Sequence, residues 1–177
     1  MARTRPAWMN LGERIVSAAG ILGAVCLAVL LLLMLAELVS RNMLNRSLHI
    51  TWEISSYLMS AVVFLTAGSA LQHDVHVRVS ALFELIGPRA GRLLDAAVTL
   101  VGFAVAAWIA YFVGVLAYTS FSNNTMSWSG FGIPLYLPQT ASALGAAIFA
   151  LQLILRFARI VGGYAPAASH ETPAGGL

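Results

Sequence analysis

From Ala96 to Leu155 the chain runs for 60 residues without an Asp, Glu, Lys or Arg. A water-soluble domain carries about 25% charged residues and spreads them over its surface. Here 10% of residues are charged, 59% are hydrophobic and the mean hydropathy is +0.83, so polar side chains are too few to cover a globule. The solvent that suits this chain is hydrocarbon. A single helix of that length would extend about 90 Å, roughly three bilayer cores, so the run must fold back. The break falls at "SFSNNTMSWSGFGIPLYLP", residues 120–138, where Ser, Asn, Gly and Pro cluster as they do in loops.

Two more uncharged runs precede it. Ile15–Ala36 is 22 residues long, beyond the ~7–15 of a signal-peptide core, and reads as a retained first helix. Ile54–His73 lies between Glu53 and Asp74. The fold class expected is therefore an all-α integral membrane protein. Its four transmembrane helices cover about 14–39, 52–73, 91–120 and 136–158 of one membrane domain, 1–160. Helices satisfy their own backbone hydrogen bonds, as lipid demands. The segment 74–90 reads as an interfacial turn followed by a short helix, and the Pro-rich tail 161–177 as disordered.

All ten strong cations are arginines, and their placement predicts orientation. Eight (3, 5, 14, 78, 89, 92, 156 and 159) fall on one side of the spans, and only Arg41 and Arg46 on the other. By the positive-inside rule both termini are expected in the cytoplasm of a multi-pass inner-membrane protein.

Little in the chain suggests chemistry. Cys26 is the single cysteine, which excludes an internal disulfide. There is no nucleophile–base pair and no phosphate loop. No strong charge falls in the middle of a span, where an ion path or proton relay would need one. The densest polar cluster is "LQHDVHVRVSAL", 71–82. His73 and His76 share one helix end and have no histidine on a facing helix, so they read as headgroup-level residues rather than haem ligands. At the other side, Thr51-Trp52-Glu53 reads as a capped helix start with an interfacial anchor. Small residues at four-residue spacing, Gly102, Ala106, Ala110 and Gly114, mark a candidate contact face on helix 3. Shorter stripes are Gly20-Ala24-Ala28 and Ser142-Ala146-Ala150. The residues alone lead to a four-helix membrane subunit that serves a partner. The competing reading is a haem or quinone anchor of a redox complex. A self-sufficient small transporter and a membrane enzyme rank lower.

Several of these motifs, in order, resemble the small membrane subunit (DctQ-like) of tripartite ATP-independent periplasmic (TRAP) transporters. They are Arg41, the Trp52-Glu53 pair, Gly68, His76-Val77-Arg78-Val79, and Pro134, Tyr136 and Pro138 opening helix 4, over roughly 11–160. The chain departs from the family pattern at Ile54 and Ser56. The resemblance implies a non-enzymatic scaffold without a cofactor of its own. It would anchor a large elevator-type membrane subunit, which binds the sodium that drives uptake. A periplasmic binding protein would deliver an organic acid, and no nucleic acid would be involved. Candidate contacts with partner or lipid are Arg41, Arg46, Trp52, Glu53, His76 and Arg78, together with the helix 3 stripe.

Overall fold

The computed structural model describes residues 6–46, 49–72, 88–127 and 132–162. They form four helices: α1, Ala7–Met43; α2, His49–Gln72; α3, Pro88–Ser122; and α4, Tyr136–Gly162. All four are long and apolar enough to cross a membrane. The expected spans lie inside them, except that residue 73 falls outside the described residues. The expected interfacial segment does so too, apart from 88–90, which open α3. So does the tail, apart from 161–162, which close α4. The helices exceed the uncharged runs because their ends continue through the polar layers, where Glu13, Arg41 and Asp95 sit.

The helices alternate in direction, and α4 is central: it packs against the other three. The α1 and α2 helices pair along their length. By contrast α3 packs on α4 alone, its backbone approaching neither α1 nor α2 among the described residues. The result is an open arrangement rather than a closed four-helix ring.

The α1 contact stripe follows a 3.5-residue repeat. Met9, Gly12, Val16, Ala19 and Gly23 are buried; Cys26, Leu30, Leu33 and Glu37 are half-buried; Ser40 is buried again. That period belongs to helices crossing at a shallow angle with knobs in holes. Where α1 meets α2, glycine makes the room. A Cβ on Gly20 would lie 2.6 Å from Ser69 Cβ, and one on Gly23 would lie 2.5 Å from Thr66 Cγ2. Thr66 and Ser69 donate their hydroxyls back to the carbonyls of Val62 and Thr66, at 2.7 and 3.0 Å, leaving no unpaired hydroxyl at the contact. The expected stripe Gly20-Ala24-Ala28 keeps only its first residue, since Ala24 and Ala28 are exposed. Four residues turn a helix 400°, so a strict four-residue stripe drifts off a face that a 3.5 repeat holds.

Between α2 and α4 the approach is closer still: a Cβ on Gly145 would stand 2.7 Å from Phe64 Cβ and 2.9 Å from the Phe64 carbonyl carbon. One turn away, towards the starts of both helices, Ser60 and Ser142 share a hydrogen bond of 2.8 Å. The α3–α4 seam holds Ala106, Ala150 and Leu153, joined by Leu71 of α2. The loop between α3 and α4 is fastened at its base. Ser127 N–H donates to Ile133 O at 2.9 Å, Leu135 N–H donates to Thr125 O at 3.1 Å, and Gly132 takes a positive φ of 61°.

Candidate functional site

Charged side chains gather at the two ends of the described helices, and the polar groups buried between them are hydroxyls and the Gln152 amide. At one end, α4 is tied to both flanking helices by charge. Arg156 Nη2 donates to Asp95 Oδ1 of α3 at 3.0 Å, and Arg159 Nη1 lies 3.8 Å from Glu13 Oε1 of α1. All four side chains are at least three-quarters buried. Asp95 and Arg156 are the residues immediately before and after the 60-residue uncharged run. An antiparallel hairpin brings the flanks of such a run to the same depth, so their pairing follows from the topology. Gln152, one turn further in, is wholly buried, and its amide has no hydrogen-bond partner among the described residues.

At the opposite end Glu53 is buried at 9% exposure and accepts a 2.6 Å hydrogen bond from Tyr57 Oη, one turn along α2. Ser127, from the α3–α4 loop, bonds the same tyrosine and so links that loop to α2. Thr51 is buried, whereas Trp52 is 76% exposed and Arg41 and Arg46 are exposed. The "TWE" motif thus divides. Its indole faces outward as an interfacial anchor does, and its carboxylate turns inward to Tyr57. Glu53 and Trp52 are neighbours in sequence with opposite destinations.

The α3 stripe also divides. Ala106 is 3% exposed in the α4 seam, Gly102 has Leu153 within 3.6 Å of its Cβ position, and Ala110 is half-buried. Gly114 faces open space, with nothing within 4 Å. Twelve residues at 100° each carry Gly114 about 120° away from Gly102. Between α2 and α3, over α4, runs a groove of about 350 Å³ lined by apolar residues, among them Val63, Phe64, Gly102, Ala106 and Phe149. His73, His76 and Arg78 lie outside the described residues. Among those described, no three His, Cys, Asp or Glu side chains gather in one place.

Tyr57 and the two ion pairs were not singled out from sequence. The i, i+4 spacing of Glu53 and Tyr57 is the signal that could have found the first contact.

These features define a multi-pass α-helical membrane protein whose polar groups fasten helices to one another. Residues 30–163 match the DctQ component of tripartite ATP-independent periplasmic transporters. The chain belongs to that family and is a small permease subunit of a TRAP transporter. No curated protein and no solved structure matches it closely enough to count as a relative. The family assignment gives the redox-anchor reading no support.

Proposed function

We propose that this chain is the stationary scaffold of its transporter, set in the inner membrane with both termini in the cytoplasm. It holds the fixed part of a large, many-helix membrane subunit. That subunit carries the substrate and the sodium, and a periplasmic binding protein delivers an organic acid to it. One observation carries this reading: the described spans offer no polar route. Their Asp, Glu and Arg side chains sit towards the helix ends, those of Asp95 and Arg156 are committed to each other, and the groove between α2 and α3 is apolar. A carboxylate substrate therefore has to travel through another protein. Exposed Trp52, Arg41 and Arg46, all at the expected periplasmic end, are the residues of this chain best placed to meet a docking binding protein.

The test is tagged purification from native membranes in mild detergent, followed by reconstitution. The expected result is a stoichiometric many-helix partner, with uptake of an organic acid only when both membrane subunits and the binding protein are present. Solute flux through this chain alone would overturn the reading. So would a clean preparation without such a partner in several detergents.

A further inference from the structure

The exposed faces of α1 and α3 differ in chemistry. Over its middle, α1 shows no aromatic side chain to the outside; its exposed large residues there are aliphatic, among them Ile21, Leu22, Val25, Leu31, Leu32 and Leu35, together with Met34. The face of α3 turned away from α4 carries Trp108, Tyr111 and Phe112, at 68%, 66% and 50% exposure. Their rings form one patch: Trp108 and Phe112 centroids are 5.1 Å apart, and Tyr111 meets Phe112 edge-on at 5.3 Å.

Depth makes this patch unusual. Exposed Trp and Tyr belong at the two membrane interfaces, where the polar atom reaches headgroups and water. Trp8, Trp52 and Tyr118 fit that rule, each near a helix end. Trp108 and Tyr111 do not. Along α3 from Asp95 to Asn123 they stand about 20 and 24 Å from Asp95, and about 22 and 18 Å from Asn123, at 1.5 Å per residue. Both therefore lie near mid-bilayer, inside the ~30 Å hydrocarbon core. No hydrogen bond is made by the indole N–H or the phenol within the described residues. Acyl chains offer no acceptor, and an unsatisfied polar group in hydrocarbon is costly.

We infer that the Trp108–Tyr111–Phe112 face of α3 docks a transmembrane helix of the large partner subunit. Trp108 Nε1 and Tyr111 Oη donate to carbonyl or hydroxyl oxygens on that helix. This rests on the proposed scaffold function and names the surface through which it works. Large aromatics with a polar handle are also the residues that dominate protein interfaces energetically.

The test uses the full transporter in native membranes. A benzophenone amino acid replaces Tyr111, or Leu32 on the aliphatic face of α1, and the membranes are irradiated before purification. The expected result is an adduct with the many-helix partner from position 111 and none from position 32. In parallel, Tyr111→Phe keeps the ring and removes the hydroxyl. It should weaken retention of the partner roughly threefold, the measured scale of one hydrogen bond between membrane helices. If the partner co-purifies but position 111 labels only lipid or a second copy of this chain, the docking face is wrong and the scaffold reading stands. Retention of the partner at wild-type level in both Tyr111→Phe and Trp108→Leu would overturn it in the same way. If wild-type protein carries no many-helix partner, both ideas fall together.

Discussion

The packing of α4 on α2 gives a sharp quantitative test. Gly145→Ala would place its Cβ 2.7 Å from Phe64 Cβ, 2.9 Å from the Phe64 carbonyl carbon and 3.0 Å from the Leu65 nitrogen. Two of those atoms are backbone and cannot swing aside. Carbon atoms rest at about 3.5–4.0 Å, so the helices must part by about 1 Å. That movement stretches the 2.8 Å Ser60–Ser142 hydrogen bond, one turn away, beyond hydrogen-bonding range. Overpacking of this kind costs ~1–3 kcal/mol, and the lost interhelical hydrogen bond adds ~0.6 kcal/mol. Alanine returns up to ~1 kcal/mol of helix propensity over glycine. The net expectation is a destabilisation of roughly 1–2 kcal/mol. Gly114→Ala is the matched control: its Cβ meets nothing within 4 Å, so it keeps the propensity gain and suffers no clash. The assay is unfolding of the purified chain in mixed micelles of rising SDS fraction, followed by far-UV circular dichroism. The same chemical change should move the midpoint down at 145 and leave it level or raised at 114. A Gly145→Ala midpoint equal to or above that of Gly114→Ala would show that α2 and α4 do not approach as described.

The same assay serves three further predictions. Asp95→Asn and Arg156→Gln should each cost about 1–3 kcal/mol, while the double variant costs little more than either alone, a coupling of ~1–2 kcal/mol. Tyr57→Phe should cost about 1 kcal/mol, and Glu53→Gln, which keeps an acceptor for the phenol, should cost less than Glu53→Ala. Gln152→Leu should raise the midpoint, through about 1–3 kcal/mol of added stability, because it removes a buried amide that has no partner among the described residues.

Helix count and order were legible in the sequence because charge is so rare in it. Each uncharged run is long enough to identify a span without appeal to periodicity, and the Ser/Asn/Gly/Pro cluster at 120–138 marks the one place where the longest run turns. The contact faces were less legible, for a physical reason. In a soluble helix the apolar stripe names the buried side, but here every side is apolar, and only residue size and occasional hydroxyls remain as signals. The four-residue stripe of α3 has Gly102 and Ala106 against α4 but Gly114 in the open, and that of α1 keeps only Gly20, because the 3.5 repeat there passes through Val16, Leu30 and Leu33 as well as glycines. The capped start expected at Thr51-Trp52-Glu53 is displaced: α2 already begins at His49, so Thr51 lies inside the helix and Glu53 beyond its first turn. There the carboxylate meets Tyr57 instead of the free N–H groups of a helix start.

The open arrangement follows from the solvent. In water, apolar helix faces are driven together whether or not they fit. In lipid that drive is absent, and helices associate only where small residues allow close approach or polar groups pair. The α1–α2 contact has Gly20 and Gly23, α2–α4 has Gly145 and the Ser60–Ser142 bond, and α3–α4 has the Ala106 seam and the Asp95–Arg156 pair. Between α2 and α3 the groove-lining residues include Val63, Phe64, Val105 and Ile109, too bulky for close approach and without a hydrogen bond to exchange, so a gap remains. A chain that enclosed a solute path would need those two helices to meet around it. A chain that leaves them apart presents more lateral surface per residue, and α3, held on one side only among the described residues, presents most of its circumference. That geometry suits the proposed scaffold, which would do its work at its sides.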